Sequence, residues 1–270
     1  MKINKKKVIS KRNIIHSKYN IIEVIIIDNN IIELKKSINL IKQKGWIPCS
    51  RYHYGAIGLT LEKLLKINTD NYEIPDYNGI EIKTKKSNKI STISLFSATP
   101  DSYLYEIKRI HNLYAYPYTK NPHFKVLNKT IKQGELTYIY NKIFFTLKVD
   151  KNNERISLIV LDNNFNILDT KTSWSFSLIK EKLERKLKYL CYVEADTIYS
   201  NSQLYVKFIN DTYYKLKNFD QFIELLENGK ILITFRIGVY IAGKKKGQIH
   251  DHGTTFSIDE KDIESLFNKI

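Results

Sequence analysis

Between Pro75 and Lys83 the chain brings together Asp76, Glu81 and Lys83, the residue types needed to hydrolyse a phosphodiester with a divalent cation. Asp76 follows a proline in a turn that Gly79 ends, and Ile80-Glu81-Ile82-Lys83 alternates apolar and charged residues like a half-buried strand. Side chains two apart on a strand share a face, so Glu81 and Lys83 point together while Ile80 and Ile82 enter a core. The turn lets Asp76 swing onto that same face. Carboxylates held this close repel one another unless a cation neutralises them. Hard oxygen ligands that leave room for a phosphate oxygen suit Mg²⁺.

An acid two residues before a lysine is common in so lysine-rich a chain. It also occurs at Glu33-Lys35, Glu106-Lys108, Asp169-Lys171, Glu184-Lys186 and Asp259-Lys261. Four of these five lie in helical patterns, where positions two apart do not share a face, and a solvated surface explains them. The serious rival is Asp169-Thr170-Lys171, with Asp162 upstream on a strand-like hairpin. Asp162 is better explained as the turn residue of Leu161-Asp162-Asn163-Asn164. Three things favour the Asp76 group: the Pro-Asp turn, a strand that starts after glycine, and an upstream helix that offers Glu62 from an apolar scaffold.

The elements that must position these residues are legible from periodicity. Residues 29–44 read as a helix after an asparagine cap, ending at Gly45, and 54–65 read as a second helix. A strand is expected at 80–85 with a partner at 92–97, followed by a helix over 101–116. The middle is β-rich: strands at 142–149, 155–161 and 166–170, the last two joined by the Asp162-Asn163-Asn164 turn. A helix over 175–190 and strands near 189–198 and 203–216 come next. A helix at 218–228, a strand at 230–238 and a last helix over 259–267 complete the pattern. No internal repeat or flexible linker is visible, and an α/β body with two lobes is the simplest reading.

Composition narrows the partners. The 270 residues carry a formal charge of +16, with 43% hydrophobic residues, enough to fill the cores. Such a balance favours polyanions, nucleic acid above all. Coding bias toward Lys, Ile, Asn and Tyr weakens the inference from lysine. Arginine is scarce (Arg12, Arg51, Arg109, Arg155, Arg185 and Arg236), so each is expected to have a specific task. Cys49 and Cys191 make neither a disulfide framework nor a zinc spacing, which fits a reducing cytoplasm. No segment approaches the length of a membrane span. The basic arm from Lys2 to Lys18 reads as a solvated tail in preference to a DNA clamp.

The ordered strings Gly58-Leu59-Thr60-Leu61-Glu62-Lys63-Leu64-Leu65, Pro75-Asp76 and Gly79-Ile80-Glu81-Ile82-Lys83-Thr84-Lys85 resemble the MvaI/BcnI family of type II restriction endonucleases. The likeness continues through Thr92 to Phe96, Trp174-Ser175-Phe176, the helix from Lys182 to Leu190, Gly229 to Ile237, Asp251-His252-Gly253-Thr254 and Ile258 to Phe267. It spans roughly residues 40 to 270, whereas the mismatch-repair nicking enzyme MutH shares only the catalytic part. The resemblance implies a restriction-endonuclease-like PD-(D/E)xK fold, a mixed sheet flanked by helices with two lobes around a DNA-binding cleft. It implies one endonuclease unit over 1–270, with a catalytic lobe at about 30–120 and a β-rich remainder at 121–270 that includes a recognition segment at 229–258.

By position, the resemblance makes Asp76 and Glu81 ligands of Mg²⁺, for which Mn²⁺ would substitute. Lys83 becomes the catalytic lysine and Glu62 a helix-borne acid that helps position water or a second metal. It further implies a monomer that nicks the strands of double-stranded DNA in turn, leaves 5′-phosphate and 3′-hydroxyl ends, and is paired with a protective methyltransferase. The alternatives are a MutH-like nicking enzyme and a catalytically silent DNA-binding protein.

Within 229–258, Arg236, His250 and His252 fall where base-contacting residues would be carried over, and Lys244 and Lys246 belong to a basic loop. Two histidines at this spacing could also chelate a metal or bond to backbone. Lys85 and Arg51 are expected at the DNA backbone. Arg51, however, sits with Tyr52, His53 and Tyr54 in a stretch that reads equally as a packed aromatic turn. Ser257 and Thr234 depart from the family pattern, where a second arginine and an acid would be usual.

Overall fold

The computed structural model describes residues 25–50, 55–67, 74–87, 89, 91–102 and 105–270. The basic N-terminal arm lies outside the described residues, as does Arg51 with Tyr52, His53 and Tyr54. In chain order the first elements are α1 (25–43), β1 (Ile47–Pro48), α2 (Ala56–Leu64), β2 (Ile80–Lys86), β3 (Thr92–Ser97) and α3 (Glu106–Tyr114). Then come β4 (Tyr116–Tyr118), β5 (Asn121–Ile131), β6 (Thr137–Tyr140), β7 (Ile143–Asp150), β8 (Arg155–Leu161), β9 (Ile167–Asp169), β10 (Ser173–Ser175) and α4 (Phe176–Leu187). The chain ends with β11 (Tyr189–Ser200), β12 (Gln203–Leu216), α5 (Phe219–Glu227), β13 (Ile231–Val239), β14 (Ile249–Asp251), β15 (Thr255–Asp259), α6 (Ile263–Leu266) and β16 (Phe267–Lys269). No helix among the described residues is long and apolar enough to cross a membrane.

Two compact units result, both discontinuous in sequence: Met1–Ser87 with Cys191–Thr212, and Asn88–Leu190 with Tyr213–Ile270. In the first, α1 buries Ile27, Ile31, Leu34, Ile38 and Ile41, the stripe expected of a helix with one face on a core. Because this stripe starts at Ile27, Asn29 and Asn30 lie inside the helix instead of capping it. The helix does end at Gly45, whose φ of +68° is the left-handed conformation that glycine tolerates at helix ends. The sheet of this unit runs β1-β12-β11-β2. Asn201 and Ser202, both at positive φ, turn β11 into β12.

In the second unit one sheet runs β3-β15-β13-β5-β4, with β14 also on β13, and another runs β10-β8-β7-β6, with β9 on β8. Trp174 of β10 is fully buried between Phe235 of β13 and Phe256 of β15, and its indole N–H donates to the Ala98 carbonyl at 3.0 Å. This is how a large aromatic side chain can be buried whole without leaving a polar atom unsatisfied. Phe96 stacks on Phe256 at 4.9 Å and extends the aromatic core to β3.

Several expectations need correction. Thr92–Ser97 pairs with β15 and not with β2, whose neighbour is β11; strands close in sequence here belong to different sheets. The helix expected from 101 starts only at Glu106. Asp101 instead accepts from the Ser175 backbone N–H at 2.9 Å and from Arg155 at 2.9 Å. Asp259 belongs to β15, and the last helix shrinks to a 3₁₀ turn and α6 before β16 pairs with β12. Strands β4, β5 and β6 fall where no element was expected.

Candidate functional site

The Pro75-to-Lys83 segment folds as a tight hairpin. Asn78 (φ 42°) and Gly79 (φ 89°) form its turn, and Tyr77 and Ile80 exchange N–H···O bonds of 2.9 and 2.8 Å. Glycine suits this position for its positive φ, since a Cβ there would make only an ordinary contact with Ile27 Cδ1 at 3.5 Å. The reversal folds Asp76 back onto β2, where its Oδ2 accepts the Ile82 backbone N–H at 2.9 Å. Ile82 lies between Glu81 and Lys83, so the Asp76 carboxylate is held alongside that pair. Glu81 is 0% exposed and forms an ion pair with Lys83, whose side chain is 27% exposed. A buried carboxylate against a partly solvated ammonium is costly to assemble and is kept where a concentrated charge set is useful.

Glu62 lies on α2 near the α2–β2 contact. A Cβ on Gly58 would meet its Oε1 at 3.7 Å and Thr84 Oγ1 at 3.5 Å. Among the described residues no three His, Cys, Asp or Glu side chains are grouped to hold a metal ion, so Glu62 is not brought into one cluster with Asp76 and Glu81. Two carboxylates nevertheless fit Mg²⁺, which is commonly bound through one or two of them, with water and substrate phosphate completing its shell. They do not fit a metal that needs a full protein cage.

Lys85 has a different environment. Its ammonium, on a side chain 10% exposed, pairs with Glu194 at 2.5 Å and lies 5.5 Å from the centre of the Tyr192 ring. Lys85 and Asn210, which donates to Glu194 at 3.1 Å, together hold the Glu194 carboxyl below its ordinary range. Lys85 therefore has an internal partner, and β11 supplies an acid to this unit that no local pattern in the sequence marks.

The rival set resolves as expected in its first half. Asp162 accepts from Asn164 N (2.8 Å), Asn166 N (2.9 Å) and Asn166 Nδ2 (3.0 Å), the bonding of a turn residue. Asp169 pairs with Arg109 at 2.5 Å and accepts from Tyr114 at 2.9 Å, and Arg109 also pairs with buried Glu106 at 2.6 Å. This is a satisfied ion network linking α3 to β9, with nothing set aside for a substrate.

In the second unit, β13 alternates buried Ile231, Ile233, Phe235 and Ile237 with outward Leu232, Thr234 and Arg236. The Arg236 guanidinium donates through Nη2 to the His252 carbonyl at 2.7 Å and through Nε to the Gly253 carbonyl at 3.2 Å. One edge of the fork is spent on this turn, which leaves Nη1 and the second N–H of Nη2 for another acceptor. The His250 and His252 rings meet edge to face at 4.1 Å, and Tyr240 lies 4.5 Å from His250. Burial first, then the neighbouring His250 and Arg236, push His252 below its ordinary range. The pair forms part of an aromatic cluster, and among the described residues no group of three metal-ligating side chains includes it. Lys244 and Lys246 are exposed on the loop between β13 and β14.

Asp251 was assigned no role from the sequence, although its aspartate-x-glycine spacing is a turn signal. Its Oδ1 accepts the Gly253 N–H at 2.9 Å, and burial raises its carboxyl against the opposing effects of that bond and of Arg236. Gly253 (φ 86°) is in the left-handed region that favours glycine, and a Cβ there would crowd the Ser97 Cβ at 3.0 Å. Of the two departures, Thr234 shares a hydrogen bond of 2.9 Å with Thr130 on the outer face. Ser257, 6% exposed, stands opposite Leu232 on one side and Ser94 on the other.

Comparison with known proteins places this geometry. The family model for the MvaI/BcnI restriction endonuclease family matches residues 35–267. A solved restriction endonuclease MvaI–cognate DNA substrate complex is similar at a TM-score of 0.82 and 28% identity, over 89% of this chain and 97% of that one. Restriction endonuclease MvaI in the absence of DNA gives a TM-score of 0.59 at 28% identity, over 89% and 96%. No curated protein matches the chain.

Proposed function

We propose that this chain, which belongs to the MvaI/BcnI restriction endonuclease family and is a type II site-specific deoxyribonuclease, cuts double-stranded DNA with the Asp76, Glu81 and Lys83 set. The carrying observation is the hairpin that returns Asp76 to the Ile82 N–H beside the Glu81–Lys83 pair. Asp76 and Glu81 would hold Mg²⁺, or Mn²⁺ in its place. When bound, the ion polarises the scissile phosphate and lowers the pKa of a coordinated water.

The chain's own residues supply the rest. The Ile82 N–H orients the Asp76 carboxylate, and burial holds Glu81 rigid. Lys83 places an ammonium where negative charge grows on the phosphoryl oxygens during in-line attack. The products are 5′-phosphate and 3′-hydroxyl ends. Glu62, from α2, serves as a positioning acid near the set and not as a shared ligand.

Sequence is read from the second unit. Arg236, anchored through one edge by the 252–253 carbonyls, presents its other edge as a preset donor pair, the geometry that recognises guanine O6 and N7. His250 and His252 border it, and Lys244 and Lys246 lie on the loop after β13. Lys85, tied to Glu194, stiffens the catalytic unit instead of meeting DNA. With a single arginine on this face, Thr234 two residues away and Ser257 opposite Leu232, fewer guanines are read than by a two-arginine face. We further propose a cytoplasmic monomer that nicks the strands in turn, protected by a paired methyltransferase. A MutH-like role is disfavoured because the family match runs through the 229–258 segment that MutH does not share.

The test is digestion of unmethylated plasmid DNA by the purified protein in Mg²⁺, with fragment ends sequenced. Discrete bands, transient nicked circles and one shared end sequence are expected. A uniform smear, or no cutting in either Mg²⁺ or Mn²⁺ across a range of salt, refutes the proposal.

A further inference from the structure

Residues 107–134 and residues 228–250 of this basic chain each contain no acid. They are far apart in sequence, yet the fold pairs them directly. β5 lies antiparallel to β13, with Ile131 opposite Ile233, Asn128 opposite Arg236 and Leu127 opposite Ile237. The strands are still in contact further along, where a Cβ on Gly238 would lie 3.9 Å from Val126 Cγ1. An antiparallel register sets the start of β5 beside the end of β13. The β4–β5 turn at 119–120 and the β13–β14 loop at 240–248 therefore open at the same end of the sheet.

Lys120 is exposed on the first of these, with His123 and Lys125 exposed on the adjoining start of β5, and Lys244, Lys245 and Lys246 are exposed on the second. None of these five lysines makes an ion pair among the described residues, whereas Lys132 and Lys230, nearer the other end, pair with Glu135 and Asp262. Lys245 lies 5.6 Å from the Tyr240 ring centre, and Tyr240 continues into His250, so the loop joins the aromatic cluster beside Arg236. The loop is itself ordered by Gly247 N to Tyr240 O (2.8 Å) and Tyr240 N to Gln248 O (3.0 Å). A set of lysines without ion-pair partners, on one turn with its adjoining strand and on one loop, is costly in self-repulsion and is complementary to a row of phosphates.

We infer that the β4–β5 turn and the β13–β14 loop together form a two-fingered basic clamp on the phosphate backbone of duplex DNA, with Lys120 and Lys125 as its newly assigned members. The inference rests on the proposed function for its ligand. The clamp adds affinity without sequence preference, because phosphate contacts position a protein while base contacts specify.

The experiment measures binding of a fluorescent duplex of arbitrary sequence in EDTA, from about 50 to about 200 mM salt, for wild type, K120Q/K125Q and K244Q/K246Q. Each lost phosphate contact lowers the slope of log Kd against log salt by about 0.9, so each pair should lower it by about 1.8. Over that range the variants should lose about tenfold less affinity than wild type does. Melting temperatures should not fall, and the sequence at cut ends should stay the same.

A wild-type slope in K120Q/K125Q overturns the inference, as does a changed cut sequence. So does weakened binding to polyglutamate with duplex binding intact, which would mark the turn as a protein-docking surface. If wild type binds duplex but never cuts, the proposed function falls while the slopes still decide the clamp.

Discussion

Replacing Asp76 with asparagine and with alanine separates its chemical from its structural contribution. The Asp76 carboxylate accepts the Ile82 N–H at 2.9 Å, and an asparagine carbonyl of the same shape can accept that bond. Asp76→Asn should thus keep the hairpin, and its melting temperature should stay close to that of wild type. Asp76→Ala removes a charge-assisted bond worth about 1.5 to 3 kcal/mol. For a chain of this size that is a fall of about 3 to 12 °C, at about 2 to 4 °C per kcal/mol. Cleavage behaves differently, because both variants remove the negative charge. A lost electrostatic term of about 3 to 4 kcal/mol corresponds to a drop of about 10² to 10³ in rate. Single-turnover cleavage of a supercoiled plasmid, read beside thermal melts, gives both numbers for each variant. If Asp76→Asn cuts within about threefold of wild type, the Asp76 set is not the catalytic one. If Asp76→Ala melts with wild type, the hairpin is not held by this bond.

The competing acids give a second prediction. Asp162→Asn, on a solvated turn, should leave both cutting and melting unchanged. Asp169→Asn breaks the Arg109 network and should destabilise by about 3 kcal/mol while the folded fraction cuts at the wild-type rate; loss of cutting without loss of stability would move the site to this hairpin. A third prediction concerns pH. Burial raises the Asp251 carboxyl, so the folded state binds its proton more tightly than the unfolded state and holding the charge costs stability once pH exceeds the folded value. Asp251→Asn, which can still accept from Gly253, should be more stable than wild type at neutral pH. The gain should shrink to nothing as pH falls into the ordinary carboxylate range, and a gain that grows on acidification in chemical denaturation would contradict the assignment.

The sequence alone determined whatever depends on neighbours along the chain. Alternation at 80–83 made Glu81 and Lys83 share a face, Asn78-Gly79 specified the turn, and the periodic stripe of α1 and the asparagine turn at Asp162 followed from local steric and hydrogen-bonding rules. A set of ordered strings sufficed to identify the family. What it could not determine is what depends on which distant segment arrives next to which. Thr92–Ser97 looks like a partner for β2 because the two are adjacent in sequence. Pairing energy does not depend on sequence separation, and β15 buries the Phe96 face better by stacking Phe256 on it. Lys85 reads as a free cation until β11 supplies Glu194. Which edge of the Arg236 fork is free to read a base is set by the 252–253 turn, whose two carbonyls fix the other edge. The two acid-free stretches become a single surface only because β5 lies along β13. Charge, burial and hydrogen-bond saturation are properties of a neighbourhood in space, and only the tertiary structure assembles that neighbourhood.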